Sequence, residues 1–210
     1  MIRLYIETSI DTNKVTSNEH NFLETYLSHL YPNPTNSSIE IVPVGGKDSL
    51  HLALNQFEEC TLLGGKNLIV FDADGDTNGG GFAVRQRELK DKLKELGIEA
   101  ELFLFPNNKD EGDFESLLEG IINPEHAGLL ACFSGYETCI KLRNKPGLPI
   151  SYKTPNRKAK MYSYMDAMIK SRKKDQQFKS GNWFFNNTDY WNLEAEILFP
   201  LKNFLKENIR

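Results

Sequence analysis

Four short apolar segments, each followed by a polar or glycine-rich turn, recur through the first half of the chain. They comprise residues 2–6, 39–44, 68–71 and 100–105. Between successive segments, apolar residues recur at the spacing of a helix. Strands that are apolar throughout and alternate with helices favour a parallel sheet covered on both faces, with right-handed crossovers. The sequence therefore predicts an α/β fold with a mainly parallel sheet flanked by helices.

The second half of the chain has a different pattern, in which helical spacing and prolines replace this alternation. Residues 126–143 and 158–170 carry apolar residues at helical spacing, and the prolines between them mark a loop. Near the end, Pro200 interrupts another helical pattern, and we expect a new helix to start there because proline is tolerated in a first turn. We predict an α/β domain over residues 1–145 and a basic helical extension over residues 146–210 that packs on the same core.

Composition excludes several classes of protein. With 210 residues, 40% of them hydrophobic, the chain can bury one substantial core. It contains no apolar run near the roughly 20 residues of a transmembrane helix, and its opening lacks a signal-peptide pattern, so we expect a cytoplasmic protein without membrane contact. The cysteines, Cys60, Cys132 and Cys139, are far apart and are predicted to be buried thiols. Because the four histidines are scattered too, neither a zinc site nor a Ser/His/Asp triad is indicated, and any chemistry must use carboxylates.

The charge is unevenly distributed. Residues 153–179 carry nine Lys and Arg against two Asp, a net charge of +7, which leaves −11 for the rest of a chain whose total is −4. Such polarity is expected when one face binds cations and another binds a polyanion such as DNA or RNA, although a solvated basic surface gives the same pattern. Tyr152 lies just before this segment and Tyr162 and Tyr164 lie in it, where aromatic rings could stack on exposed bases.

The strongest local signal is an apolar strand that runs into the sequence DADGD at residues 72–76. If the strand geometry continues, Asp72 and Asp74 point the same way, as two oxygen ligands of one hard cation would. An EF-hand loop starting at Asp72 is excluded, since its glycine and glutamate positions hold Thr77 and Ala83. A haloacid-dehalogenase phosphatase is a weak competitor, because an extra aspartate interrupts its DxDGT motif and the strand is third instead of first.

Other polar residues follow the remaining strands. Glu7 comes after the first strand and the Gly45–Gly46 turn after the second, while Asp72 and Asp74 end the third. Ligands of parallel sheets bind beyond the carboxyl ends of the strands, so these groups are expected at one edge. Carboxylates so close together would repel and raise each other's pKa, and a divalent metal is the simplest source of neutralising charge.

This order of acids resembles the Toprim domain, in which a glutamate ends the first strand and a DxD pair ends a later one. Further details are similar to the Toprim part of OLD-family nucleases and to small standalone Toprim-like proteins, over roughly residues 2–119. The matching residues are Asp11, four residues after Glu7; Gly45, Gly46 and Lys47; Phe105 and Pro106; the acidic pair Asp113 and Glu115; and a late lysine, Lys158 or Lys160. Two features depart from the family: Thr8 stands where glycine is usual, and no P-loop is present, so the chain resembles the Toprim part alone. A partner ATPase or self-association stays open.

The resemblance implies a Toprim-like, Rossmann-like fold and a site for Mg²⁺ or Mn²⁺. In that site Glu7 would be a metal ligand and general acid or base, with Asp72 and Asp74 as further ligands. Its remaining implied residues are Asp11, Asp113 and Glu115 as a second metal site and Lys158 or Lys160 as a counter-charge to the transition state. Separately, Gly45, Gly46 and Lys47 could bind a phosphate as a backbone anion nest, or form an ordinary turn with a solvated lysine.

Taken together, these features predict a Mg²⁺- or Mn²⁺-dependent phosphodiester enzyme, a nuclease acting on DNA or RNA. The main alternative is a non-catalytic metal-binding Toprim module that serves in nucleic-acid or protein interaction. A metal-dependent phosphatase of small substrates is the third hypothesis. The basic segment distinguishes them, since only a nucleic-acid-binding protein needs it.

Overall fold

The computed structural model describes residues 1–8, 17–33, 38–75, 79–144, 151–169 and 171–209. At its centre is a four-stranded sheet made of β1 (Ile2–Ile6), β2 (Ile39–Pro43), β3 (Lys66–Asp72) and β4 (Glu101–Phe105). The strand order is β2-β1-β3-β4, and every neighbouring pair is parallel. This arrangement confirms the predicted α/β fold with a Rossmann-like parallel sheet flanked by helices.

Helices connect the strands and continue after the sheet is complete. In the described residues they are α1 (Asn18–Leu30), α2 (Leu54–Leu62), α3 (Phe82–Leu96), α4 (Phe114–Ile121), α5 (Ala127–Arg143), α6 (Arg157–Met168), α7 (Arg172–Lys179) and α8 (Phe199–Asn208), with 3-10 turns at Lys47–Ala53, Pro124–His126 and Glu196–Leu198. The helices predicted over residues 126–143 and 158–170 correspond to α5 and α6. Pro200 lies in the first turn of α8, as its backbone chemistry predicts.

Local sequence explains where several helices begin and end. The side chains of Ser17, Asp113, Asn156 and Ser171 each accept a hydrogen bond from a backbone N–H in the first turn of the helix that follows. Gly97 ends α3 in the left-handed conformation, which costs glycine little. These caps fix the positions of α1 and α4, whose first turns both face the candidate site.

Two apolar cores cover the two faces of the sheet. Alternate residues of β1 separate them, since Leu4 lies in the larger core and Tyr5 in the smaller one. The smaller core is closed by α2 and α3. The larger core contains α1, α4 and much of the predicted extension, including Met161, Trp191 and Leu205. The boundary at residue 145 stays a prediction, whereas the residues beyond it do contribute to the core of the sheet.

Several expectations about individual side chains are wrong. Cys60 is buried as predicted, but Cys132 and Cys139 are exposed because α5 buries none of its residues. Tyr164 is only 2% exposed and packs in the larger core, so its ring is not available for stacking on a base. None of the described helices is long and apolar enough to cross a membrane.

Candidate active site

The parallel sheet brings Glu7 and Asp72 together. Because β1 and β3 are neighbours, the residue that follows β1 and the last residue of β3 reach the same edge. Oε2 of Glu7 accepts a hydrogen bond from the backbone N–H of Asp72 at 3.1 Å. In turn, Oδ1 of Asp72 accepts one from the backbone N–H of Phe114 at 2.8 Å, which joins β3 to the start of α4. The predicted juxtaposition of these two carboxylates is therefore present.

A third carboxylate, Glu19, was not found by sequence reasoning. It lies in the first turn of α1, after the Ser17 cap. Its pKa is raised to about 7, mainly by burial and then by the charges of Glu115 and Glu7, while Lys158 acts in the opposite direction. The available signal was the capping serine two residues before an acid, which marks a helix start whose side chains turn toward the sheet edge.

These acids perturb one another. Burial raises the pKa of Asp72 well above its ordinary value, and the negative charges of Glu19, Glu7, Asp113 and Glu115 add to the rise, in that order. Burial is likewise the main reason why the pKa of Glu115 is raised, followed by the charge of Asp113. We call Glu7, Glu19, Asp72, Asp113 and Glu115 the acidic cluster.

The pKa of Glu7 is subject to opposing influences from its neighbours. Burial raises its pKa and the charge of Asp74 adds to this, whereas the N–H of Asp72, the guanidinium of Arg85 and the ammonium of Lys47 all lower it. An ionised Glu7 is therefore opposed by burial and supported by nearby positive charge. A carboxyl whose pKa is raised above its ordinary value is a candidate for proton exchange with a substrate or water.

Asp74 does not extend the line of the strand. The strand geometry assumed for the pair ends at Asp72, and Asp74 takes the left-handed conformation, with φ of 56°. Its Oδ2 forms an ion pair with Arg85, which also contacts Glu88 at 3.1 Å. The condition on which the two aspartates were expected to point the same way, a strand that continues through both, is therefore not met, because the backbone turns between them. A role for Asp74 as a metal ligand stays a prediction and would require competition with Arg85.

Asp113 is engaged in structural contacts. It caps α4, where Oδ1 accepts hydrogen bonds from the backbone N–H of Ser116 at 2.8 Å and from its hydroxyl at 2.6 Å. Arg157 donates to the same oxygen at 2.9 Å. Glu115 lies two residues later, in the first turn of α4, and does not cap the helix. The positive charge of Lys158 lowers the pKa of its carboxyl. Of the predicted acidic pair, Glu115 is the better candidate for a ligand.

The structure separates the two candidate lysines. Nζ of Lys160 lies 3.2 Å from Oε2 of Glu119, a carboxylate expected to face solvent but only 25% exposed. Lys158 instead acts electrostatically on Glu19 and Glu115, two members of the acidic cluster. The geometry favours Lys158 over Lys160 as the positive charge at the site.

The glycine turn after β2 supports Glu7 directly. Gly45 and Gly46 both have positive φ, and a Cβ on Gly46 would lie 3.3 Å from Oε1 of Glu7. The N–H of Gly45 donates to the carbonyl of Thr8 at 3.0 Å, so it is not free for an anion. Lys47 donates to Glu88 at 2.6 Å instead of projecting into solvent. An anion nest here stays a prediction, whereas the close approach to Glu7 explains why glycine is needed.

Two further observations bear on the metal prediction. Asp11 lies outside the described residues. Within the described part of the chain, no group of three His, Cys, Asp or Glu side chains is arranged so that it could hold a metal ion.

Comparison with known proteins identifies a family. A family model described as a protein of unknown function (DUF3226) matches residues 16–210. The chain belongs to this family. No curated protein and no solved structure gives a significant match. The part that matches DUF3226 contains Glu19, Asp72, Asp113, Glu115 and Lys158, whereas Glu7 precedes it.

Proposed function

We propose that this DUF3226 protein is a Mg²⁺- or Mn²⁺-dependent phosphodiester enzyme of Toprim type, a nuclease acting on DNA or RNA. One observation carries the proposal: Glu7, which follows β1, accepts a hydrogen bond from the backbone N–H of Asp72 at the end of β3, and both carboxyl groups are half-buried and have raised pKa values. Burying several carboxylates together is costly unless something positive offsets their charge. A cation bound at this edge would supply that charge.

The donor chemistry fits a hard divalent cation. All members of the acidic cluster offer carboxylate oxygen, which suits Mg²⁺ and Mn²⁺ better than metals that prefer sulfur or imidazole. Mg²⁺ commonly uses only one or two protein carboxylates and completes its coordination with water and substrate phosphate. The lack of a ready three-residue group in the described residues is therefore compatible with this metal. Glu7 and Asp72, with Glu115 or Glu19, would hold it.

When bound, the cation would polarise a phosphate and lower the pKa of a bound water. The chain's own residues would do the rest. Glu7, poised between burial and the positive charges of Arg85 and Lys47, would accept or donate a proton. Lys158 would offset negative charge that develops on the phosphate. Asp11, Asp74 and Asp113 stay as predicted ligands, the last with its cap role as a competing function.

The basic segment supports a nucleic-acid substrate. Of its residues, Arg157 contacts Asp113 and Lys158 acts on Glu115, so the segment reaches the rim of the acidic cluster. Arg172 and Lys173 begin α7 with exposed side chains. A positively charged surface beside a metal-binding edge is what a polyanionic substrate needs. A cytoplasmic location is part of the same proposal.

The first test measures metal binding and cleavage together. Titration calorimetry with Mg²⁺ and Mn²⁺ should show binding, and single- or double-stranded DNA or RNA should be cut with metal and not with EDTA. Glu7→Gln should lower the cleavage rate by about 10²-fold, the usual order for a lost acid–base group. Glu24→Gln, an exposed site on α1, is the matched control and should have wild-type activity. Metal binding without cleavage of any substrate would refute the nuclease and leave a non-catalytic module.

That non-catalytic module is the second candidate, and two contacts favour it: Asp74 is paired with Arg85 and Asp113 caps α4, which leaves fewer free carboxylates for catalysis. A phosphatase of small substrates would not cut nucleic acid, and its activity would not depend on the basic segment. The second test therefore replaces three exposed cationic residues that are not part of the candidate active site. Lys153, Arg172 and Lys173 are all changed to Gln. The slope of log K against log salt should flatten by roughly two units if all three contact phosphates. An unchanged slope would place nucleic-acid binding elsewhere or exclude it.

A further inference from the structure

Helix α5 carries apolar and small residues on all sides of its first half, yet it buries none of its residues. Its first ten residues, from Ala127 to Tyr136, include no charged side chain. A helix that is apolar on every face is normally enclosed by other protein or by a membrane. At 17 residues, α5 is not a candidate membrane span. The described residues therefore leave one face of α5 open to a partner.

The two faces of α5 differ in their contacts. On the inner face, Leu129 and Leu130 are partly buried against the larger core. The outer face is exposed, and its apolar and small residues are Ala131, Cys132, Gly135, Tyr136, Cys139 and Leu142, with Ser134 and Thr138 as exposed polar residues along one side. Its two largest apolar side chains, Tyr136 and Leu142, are 55% and 70% exposed. A Cβ added at Gly135 would meet nothing within 4 Å, so the surface is open to a neighbour.

The ends of α5 carry opposite charges. Glu125 lies just before the helix, while Lys141 and Arg143 lie in its last turn, and all three are exposed. A second copy of α5 running in the opposite direction would bring Glu125 of each copy beside Lys141 and Arg143 of the other. The two helix dipoles would also oppose each other favourably. The helix is thus charge-complementary to itself in the antiparallel orientation.

The spacing of the outer face suits such a pair. Residues 128, 132, 135, 139 and 142 are separated alternately by four and three positions, the seam spacing of two packed helices. With a two-fold axis near residues 133 and 134, Cys132 of one copy lies opposite Gly135 of the other. A side chain then meets a position without one, which allows close packing.

We propose that the outer face of α5 is the interface of a homodimer, with two copies of α5 packed antiparallel about a two-fold axis. At roughly 1.5 Å per residue, α5 is about 26 Å long and buries less than the roughly 800 Å² per partner of a standard interface. The dimer should therefore be weak and form at micromolar concentrations. This inference does not depend on the proposed nuclease activity.

Sedimentation equilibrium of the full chain tests it. At tens of micromolar, the wild type should approach twice the 24.0 kDa mass of one chain. Ala131→Arg, which places a charge on the outer face beside the seam position Gly135, should weaken dimerisation at least tenfold. Ala83→Arg is the matched control, because Ala83 is an exposed helical alanine on α3, which covers the opposite face of the sheet. Circular dichroism should show that both variants keep their helices.

A charge exchange tests the orientation. Glu125→Lys should weaken the dimer, and adding Lys141→Glu with Arg143→Glu should restore it, although the exchanged charges oppose the helix dipole. Only pairing between two antiparallel copies produces that rescue. The proposal would be overturned if the wild type stays monomeric at 100 µM, whether or not it sediments with anionic vesicles. It would also be overturned if Ala131→Arg leaves the dimer intact. Failure of the rescue would overturn the antiparallel arrangement.

Discussion

The wild-type protein should lose stability between pH 5 and pH 8 because Glu19 ionises, and Glu19→Gln should remove most of that loss. The pKa of Glu19 is about 7 in the folded protein against 4.5 for an unperturbed glutamate, so the folded state keeps its proton to higher pH. The stabilisation is complete below about pH 4.5 and is lost as the pH rises through 7. Between pH 5 and 8 this one group costs the wild type about 2.5 kcal/mol of unfolding free energy. Gln does not titrate and should not show this loss.

A competing effect has the opposite sign but is smaller. A carboxylate in the first turn of α1 interacts favourably with the helix dipole, typically by about 0.3–1 kcal/mol, and Gln loses that interaction. The cost of burying the charge is larger, so Glu19→Gln should still be more stable than the wild type at pH 8.

Urea unfolding at pH 5, 6, 7 and 8 in the presence of EDTA measures the effect. The difference between Glu19→Gln and the wild type should grow by about 2 kcal/mol or more from pH 5 to pH 8. Glu24→Gln on the same helix, where the side chain is exposed, should follow the wild type at every pH. A difference that stays within about 0.5 kcal/mol across this range would show that Glu19 is not a buried member of the acidic cluster.

Three other substitutions test separate parts of the site. Asp72→Asn should raise the melting temperature at pH 8, because it removes a buried charge while its side-chain oxygen still accepts from Phe114, and it should abolish Mg²⁺ binding measured by calorimetry. Asp113→Ala should lower the unfolding free energy in urea by about 1–2 kcal/mol through loss of the α4 cap, whereas Asp113→Asn should lose much less. Gly46→Ala should cost about 1–2 kcal/mol by the same measurement, because φ is 99° and the new methyl group crowds Glu7; a neutral result would show that the turn adapts.

The sequence was most informative where chemistry is local. Apolar strands predicted the parallel sheet, and helical spacing and Pro200 predicted α5, α6 and the start of α8, because each signal lies within a few residues of its effect. The contact between Glu7 and Asp72 was predictable from topology alone, since parallel strands end at one edge. These inferences needed no knowledge of side-chain packing.

Other parts of the site depend on contacts between distant residues. Asp74 is held by Arg85 from α3, and Lys160 by Glu119 from α4. Neither pairing follows from a strand or helix pattern, because both partners lie on separate segments whose relative rotation is set by packing. Glu19 was missed for a related reason: its burial comes from the neighbours that surround α1 and not from its own segment. Local sequence patterns predict the path of the backbone, whereas the ion pairs that orient these side chains form between distant segments.

The division of the core between distant parts of the chain has a consequence for synthesis. All four strands precede residue 106, but the larger core is closed by side chains as late as Leu205 and Ile209. While the ribosome is still making residues 161–209, the finished sheet would present one apolar face that α1 and α4 cover only in part. Such a nascent chain is open to non-native association, so its yield should depend on chaperone capacity more than the stability of the finished protein suggests.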